Sequence, residues 1–134
     1  MKSPNYALTQ PFRGTFDQAL ETIKSTLAAQ GFGILTEINV TQTMKKKLNL
    51  DYPRYHILGA CNPPNAHRAL QAETEIGLLL PCNVIVFEKN HQVYLSVIKP
   101  TIALTLSSNP ALQTIAQIIE NKLTTALKQA VNQV

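Results

Sequence analysis

Three short stretches of this 134-residue chain carry side chains able to do chemistry. The first is Cys61-Asn62-Pro63, with His67 and Arg68 just beyond it. The apolar run "RYHILGA" before it reads as a strand, and "NPPNAHRALQAE" after it reads as a helix with Asn62 as N-cap and Pro63 at the first position. Cys61 therefore falls at a strand-to-helix junction. Helix N-termini favour a thiolate over a thiol, which makes Cys61 the candidate nucleophile. A thiolate, the His67 imidazole and the Arg68 guanidinium meeting in one pocket would suit an anion. The plainer role for Cys61 is that of a small buried hydrophobe at a strand end.

The second stretch is Cys82-Asn83 inside "LLLPCNVIVFE". If its strand neighbours the one ending at Cys61, the two sulfurs approach each other. They do not make a C-x-x-C motif, and with His67 they supply three ligands, one short of a closed zinc site. No metal is expected, with Cys61, His67 and Cys82 as the set to consider if one were. Asn is depleted in strands, so Asn83 is expected either to bind a ligand or to tie down the loop that carries Cys61. The third stretch is Glu37, the one carboxylate in "FGILTEINV". It faces water, pairs with Arg54 or Arg68, or does acid–base work. His56 and His91 read as edge or surface residues.

Familiar catalytic signatures are absent. The chain has no G-x-G-x-x-G, P-loop, H-E-x-x-H or G-x-S-x-G, and it names no cofactor. Bulk composition narrows the classes further. Charged residues make up 15% and apolar residues 45%, the balance of a folded domain with an unusually uncharged surface. The formal charge is +4, but the only basic cluster is Lys45 to Lys47, without interleaved aromatics. A nucleic-acid partner is therefore not expected. The apolar run from Ile76 to Phe87 is broken by Pro81 and Asn83, so no membrane span is expected. "MKSPNYALTQ" lacks an apolar signal core, and the expectation is a reducing cytoplasm with Cys61 and Cys82 as thiols.

The elements that must position these residues follow from periodicity. "YALTQPF" reads as a first strand held to an edge by Pro11. "TFDQALETIKSTLAAQGFG" is a helix with Thr15 and Gln18 as a capping box and Gly31 closing it. "FGILTEINV" alternates, placing Phe32, Ile34, Thr36, Ile38 and Val40 on one face and Leu35, Glu37 and Asn39 on the other. "TQTMKKKLNL" is a short helix capped by Thr41. "VIVFE" and "HQVYLSVI" form a hairpin across Lys89-Asn90, and Asn109-Pro110 opens a long last helix with a wide apolar stripe. The order β-α-β-α-β-α-β-β-α in one domain, residues 1–134, implies an α+β fold with helices packed on a mixed, largely antiparallel sheet.

Three segments together carry a resemblance: "TFDQALETIKSTLAAQGFG", "GFGILTEINV" and "YHILGACNPPNAHRALQAETEIGLLLPCNVIVFE". From about Thr15 to the last helix the chain resembles the uncharacterised family called domain of unknown function 302. The matching motif positions are Glu37, Cys61, Asn62, Pro63, His67, Arg68, Pro81, Cys82 and Asn83. The resemblance implies a compact α+β domain from a bacterium or archaeon, a cytoplasmic homodimer. It brings no activity with it.

Three functions stay open on the sequence. One is a homodimeric binding module for a small anionic or sulfur-containing ligand, held by Cys61, Asn62, His67, Arg68, Cys82 and Asn83 with Glu37 nearby. The second is a thiol-dependent enzyme or sulfur carrier using Cys61 or Cys82. The third is a structural or interaction protein with no small-molecule site. Whether the chain is an enzyme is left undecided by its residues.

Overall fold

The computed structural model describes residues 3–132. Strands β1 (Ala7–Phe12), β2 (Gly33–Asn39), β3 (Tyr55–Cys61), β4 (Cys82–Lys89) and β5 (Gln92–Ile98) form one sheet in the order β1-β5-β4-β3-β2. The sheet expected to be largely antiparallel is antiparallel at all four pairings. Helices α1 (Phe16–Ala29), α2 (Val40–Leu48), α3 (Pro63–Ala72), α4 (Pro100–Ala103) and α5 (Pro110–Asn132) complete the α+β order. Tight 3-10 turns at Thr74–Leu79 and Leu104–Leu106 add detail that the periodicity did not carry.

Helix ends obey local chemistry. The Gln18 amide donates to Thr15 Oγ1 at 3.1 Å and the Thr15 amide to Gln18 Oε1 at 2.9 Å, closing the capping box. At the other end Gly31 takes φ +84°, and the Phe32 and Gly31 amides donate to Leu27 and Ala28 carbonyls. Asn109 caps α5 by accepting from the Ala111 amide at 3.0 Å. For α2 the cap is Asn39, which accepts from the Gln42 amide, and not Thr41 as expected. Thr41 is engaged elsewhere, donating to the Pro53 carbonyl and accepting from the Tyr55 amide. The hairpin turn is shifted by one residue from the expected Lys89-Asn90. It is Asn90-His91, both at positive φ, which matches the twist of a two-residue loop.

Strand alternation divides the sheet into two unlike faces. Leu58, Ala60, Cys82, Val84, Val86, Leu95 and Val97 point to the helices and join Ile23 and Leu27 of α1 and Leu123 and Leu127 of α5 in the core. Full burial of each such leucine is worth roughly 1.5–3 kcal/mol. The opposite face carries Tyr55, Ile57, Ile85, Phe87, Tyr94 and Ser96, none of them part of that core. Phe87 is buried instead by its stacking on Tyr55 and Tyr94.

The alternation expected for β2 fails at one point. The register against β3 slips between Ile34 and Thr36, so Leu35 is a bulged residue. One extra residue turns everything after it over. Glu37 lands opposite Leu58 on the helix side, whereas Thr36 and Ile38 face the open side beside Gly59 and Ile57.

Candidate functional site

The two Cys-Asn segments do converge, because β3 pairs with β4 in a register that sets Ala60 opposite Cys82. Cys61 is one residue farther along β3, where the chain turns into α3. Both thiols line a pocket of about 250 Å³ between the sheet, α3 and α5. Phe32 and Leu35 form one wall, Ala66 and Leu70 of α3 another, and Ile119 of α5 with Leu80-Pro81 the floor. A small void of about 20 Å³ continues under Leu80, Pro81 and Cys82 towards Pro100 and Leu104. Apart from the side chain of Asn62, everything lining the pocket is apolar or a thiol.

The thiols are not equivalent. Cys82 is buried, and Cys61 is half-buried. Burial first, then the charge of nearby Cys61, push the Cys82 thiol up to about 11. Cys82 is therefore a protonated, apolar wall atom at neutral pH. Cys61 is the thiol that solvent or a reagent can reach.

Asn62 occupies the N-cap position of α3, yet its side chain makes no cap bond. It reaches instead to the end of α1, where its Nδ2 donates to the Gln30 carbonyl at 3.2 Å and the Gly31 carbonyl at 3.4 Å. Its Oδ1 accepts from Asn65 Nδ2 at 2.9 Å. Prolines at 63 and 64 leave α3 with fewer free amides to cap, which frees the Asn62 side chain for this tie. Asn65, three residues on and on the same helix face, is the partner that the sequence reading passed over.

The other expected members lie elsewhere. His67 is exposed and does not line the thiol pocket, because α3 turns Asn65 and Ala69 inward and leaves position 67 outside. Arg68 is also exposed. It donates to Asn65 Oδ1 at 3.4 Å and borders a separate polar groove with Gln30, Pro64 and Lys122. Asn83 alternates away from Cys82 and sits on the open sheet face. The constellation of thiol, imidazole and guanidinium is thus dispersed, and so is the metal set of Cys61, His67 and Cys82. No cluster of three or more His, Cys, Asp or Glu able to hold a metal ion occurs among the described residues.

Glu37 belongs to a second polar centre at the far end of β2. Its carboxylate takes Lys24 Nζ at 2.7 Å and His56 Nδ1 at 2.7 Å, not Arg54 or Arg68. A carboxylate only accepts here, so Nδ1 of His56 carries the proton. The Lys24 hydrogen bond is the largest influence and, with a lesser contribution from His56, holds the Glu37 carboxyl below its ordinary range despite the opposing effect of burial. His56 packs edge-on against Phe16 at 5.2 Å, and Arg54 lies over the same ring at 4.1 Å while pairing with Asp17 at 2.8 Å. His56 is thus a half-buried structural member and not a surface residue.

Comparison with known proteins agrees with this architecture. The family model described as "Domain of unknown function DUF302" matches residues 8–130. Among solved structures, an uncharacterized conserved protein DUF302 from Bacillus stearothermophilus is similar, with TM-score 0.89 and 30% identity. The likeness covers 95% of this chain and 99% of that one. No curated protein matches significantly. No helix among the described residues is long and apolar enough to cross a membrane.

Proposed function

The chain belongs to the DUF302 family, and on that premise we propose that it is a small-molecule binding module whose ligand sits in the thiol-lined pocket. The observation that carries this reading is the pocket itself: about 250 Å³, apolar, and entered by both cysteines. Binding sites are concave and mostly apolar with a few placed polar groups, and Asn62 is the polar group at this wall. The size suits a small ligand. Soft, polarisable thiols beside Phe32 and Ile119 suit an apolar or sulfur-containing one. Arg68 and Lys122 stand in the neighbouring groove beyond Asn62, so an anionic group on the ligand meets cations only outside the pocket. In this reading the module works in a reducing cytoplasm as a homodimer, with no part for nucleic acid or membrane.

Native mass spectrometry of protein purified without reductant tests it. The expected result is an added small-molecule mass that is lost from the Ala66→Phe variant, whose ring fills the pocket, while its far-UV circular dichroism is unchanged. A clean unliganded chain that no small apolar or thiol compound shifts in a thermal melt would overturn the reading.

A second reading rests on Cys61 alone. It is half-buried in the pocket and lies two residues before the start of α3, within reach of a small reagent. A thiol enzyme or sulfur carrier would use Cys61 and not the protonated Cys82. An extra sulfur carried on Cys61 in the same mass spectrum would favour this reading over simple binding.

A further inference from the structure

We propose that the helix-free face of the sheet, extended by α2, is the surface on which a second copy of this chain docks, sheet against sheet about a two-fold axis. The proposal rests on the homodimer of the reading above and is independent of its ligand, since none of the face residues it uses lines the thiol pocket.

The face is built like an interface core. Tyr52, Tyr55, Phe87 and Tyr94 form a continuous aromatic row, with successive ring centroids 6.4, 5.7 and 5.3 Å apart. Beside it Ile57, Ile85 and Ile98 border a groove of about 280 Å³, room for an apolar side chain from a facing copy. Of its polar groups, Thr9 and Ser96 already share a 2.7 Å hydrogen bond, and the exposed Asn83 amide lines the same groove. Apart from Lys89 at the hairpin end, no strand residue directed to this face is charged. Fully buried interface centres are aromatic, apolar and depleted of charge in the same way.

Helix α2 adds a second sign. None of its nine residues is buried. A helix this short does not hold itself together in water and needs an apolar face packed on something. Yet Leu48, Leu50 and Tyr52 at its end are 61%, 51% and 43% exposed, and Ile38 on the adjoining strand is 48% exposed. Tyr52 beside Tyr55, and Ile38 opposite Ile57, carry the apolar surface to this margin, where a facing copy would cover it.

Area and charge point to a second copy as the occupant. Five strands about 4.8 Å apart and about 20 Å long, plus a helix about 13 Å long, project roughly 600 Å². Specific interfaces bury about 600–1,000 Å² per partner. Across its five strands the face, Lys89 apart, has no sign with which to select an acidic or a basic partner, and the lysines of α2, Lys45 to Lys47, belong to its margin. A neutral apolar face is complementary to itself, and that is what a two-fold contact requires. Two such sheets pack about 10 Å apart through interdigitated side chains.

Sedimentation velocity and native mass spectrometry of the full chain, from about 1 to about 100 µM, test this. The expected species has twice the 14.8 kDa chain mass. Ile85→Lys, in the groove, is expected to raise the dissociation constant at least about a hundredfold. Ile38→Lys, at the exposed rim, is expected to weaken the dimer as well and does not threaten the fold, so it decides the matter if Ile85→Lys fails to fold. Leu78→Lys, on the separate apolar patch at the Thr74–Leu79 turn where Leu78 is 84% exposed, is expected to leave the dimer intact. A wild-type chain that stays monomeric at the highest concentration overturns the proposal. So does a dimer indifferent to Ile38→Lys, or one that Leu78→Lys dissociates.

Discussion

The two Cys-Asn pairs are the same dipeptide, one followed by Pro63 and the other preceded by Pro81, and the fold uses them in opposite ways. In Cys61-Asn62 the asparagine is the buried anchor, 7% exposed, and the thiol is the reachable group. In Cys82-Asn83 the thiol is buried and the asparagine exposed. The difference comes from where each pair falls in its element. Cys82 and Asn83 lie within β4, so alternation sends them to opposite faces of the sheet. Cys61 and Asn62 straddle the end of β3 and the start of α3, where alternation stops and the turn decides both directions. Identical residues thus mark a tie between helices in one place and the boundary between core and open face in the other.

The sharpest way to break this comparison is to remove each amide. Asn62→Ala loses three hydrogen bonds and leaves the buried Asn65 Nδ2 without its acceptor. The expected loss is about 2–3 kcal/mol in denaturant unfolding. Asn83→Ala should cost under about 0.5 kcal/mol in the same experiment, as exposed sites do. Equal losses would mean that the tie between α1 and α3 carries no stability.

The thiols give the next contrast. A group whose protonated form is favoured by folding stabilises the protein below its unfolded pKa and loses that contribution as pH rises through the folded one. For Cys82 the window runs from the ordinary 9.0 to about 11. Across it the protein should lose about 2 kcal/mol, or somewhat less after relaxation, and Cys82→Ala should not show that loss. Iodoacetamide near neutral pH should label Cys61 at least about tenfold faster than Cys82, as followed by peptide mass spectrometry. Faster labelling of Cys82 would reverse the assignment of the reachable thiol.

Gly59 sharpens the boundary between the two faces. A Cβ there would meet Thr36 Oγ1 and, at 2.9 Å, the Pro81 ring. Gly59→Ala should cost roughly 1–2 kcal/mol in thermal unfolding, because it pushes apart the bulged strand and the proline that precedes Cys82.

The smallest effect belongs to the distant Glu37 centre. Its folded pKa is depressed, so its contribution is present above the ordinary 4.5 and lost as pH falls through the folded value. Glu37 is part-exposed, so Glu37→Gln should cost under about 1 kcal/mol at pH 7 and nothing once the carboxylate is protonated. A large loss, or one that persists in acid, would tie this centre to more than its two ion pairs.

Much of the fold was legible because its signals are local. The Thr15 capping box, the Gly31 stop, the Asn109-Pro110 start and the apolar stripe of α5 each need only a few neighbouring residues, and each is found where the sequence places it. Thr41 and the bulge at Leu35 escaped for the opposite reason. The Thr41 hydroxyl is taken by Pro53 and Tyr55 across a loop, and the bulge exists only in the register of β2 on β3. The candidate site was legible as two segments and not as a set of partners.

The sequence by itself determined which elements form, in what order, and that both Cys-Asn segments stand at strand ends. Backbone periodicity and capping chemistry are written into spacing. Only the tertiary structure decided which side chains share a space. The rotation of α3, set by packing Asn65 and Ala69 inward, left His67 outside and sent Arg68 to the neighbouring groove. One bulged residue carried Glu37 to Lys24 and His56. Helix rotation and strand register are fixed by contacts between residues far apart in the chain, and no local pattern specifies them.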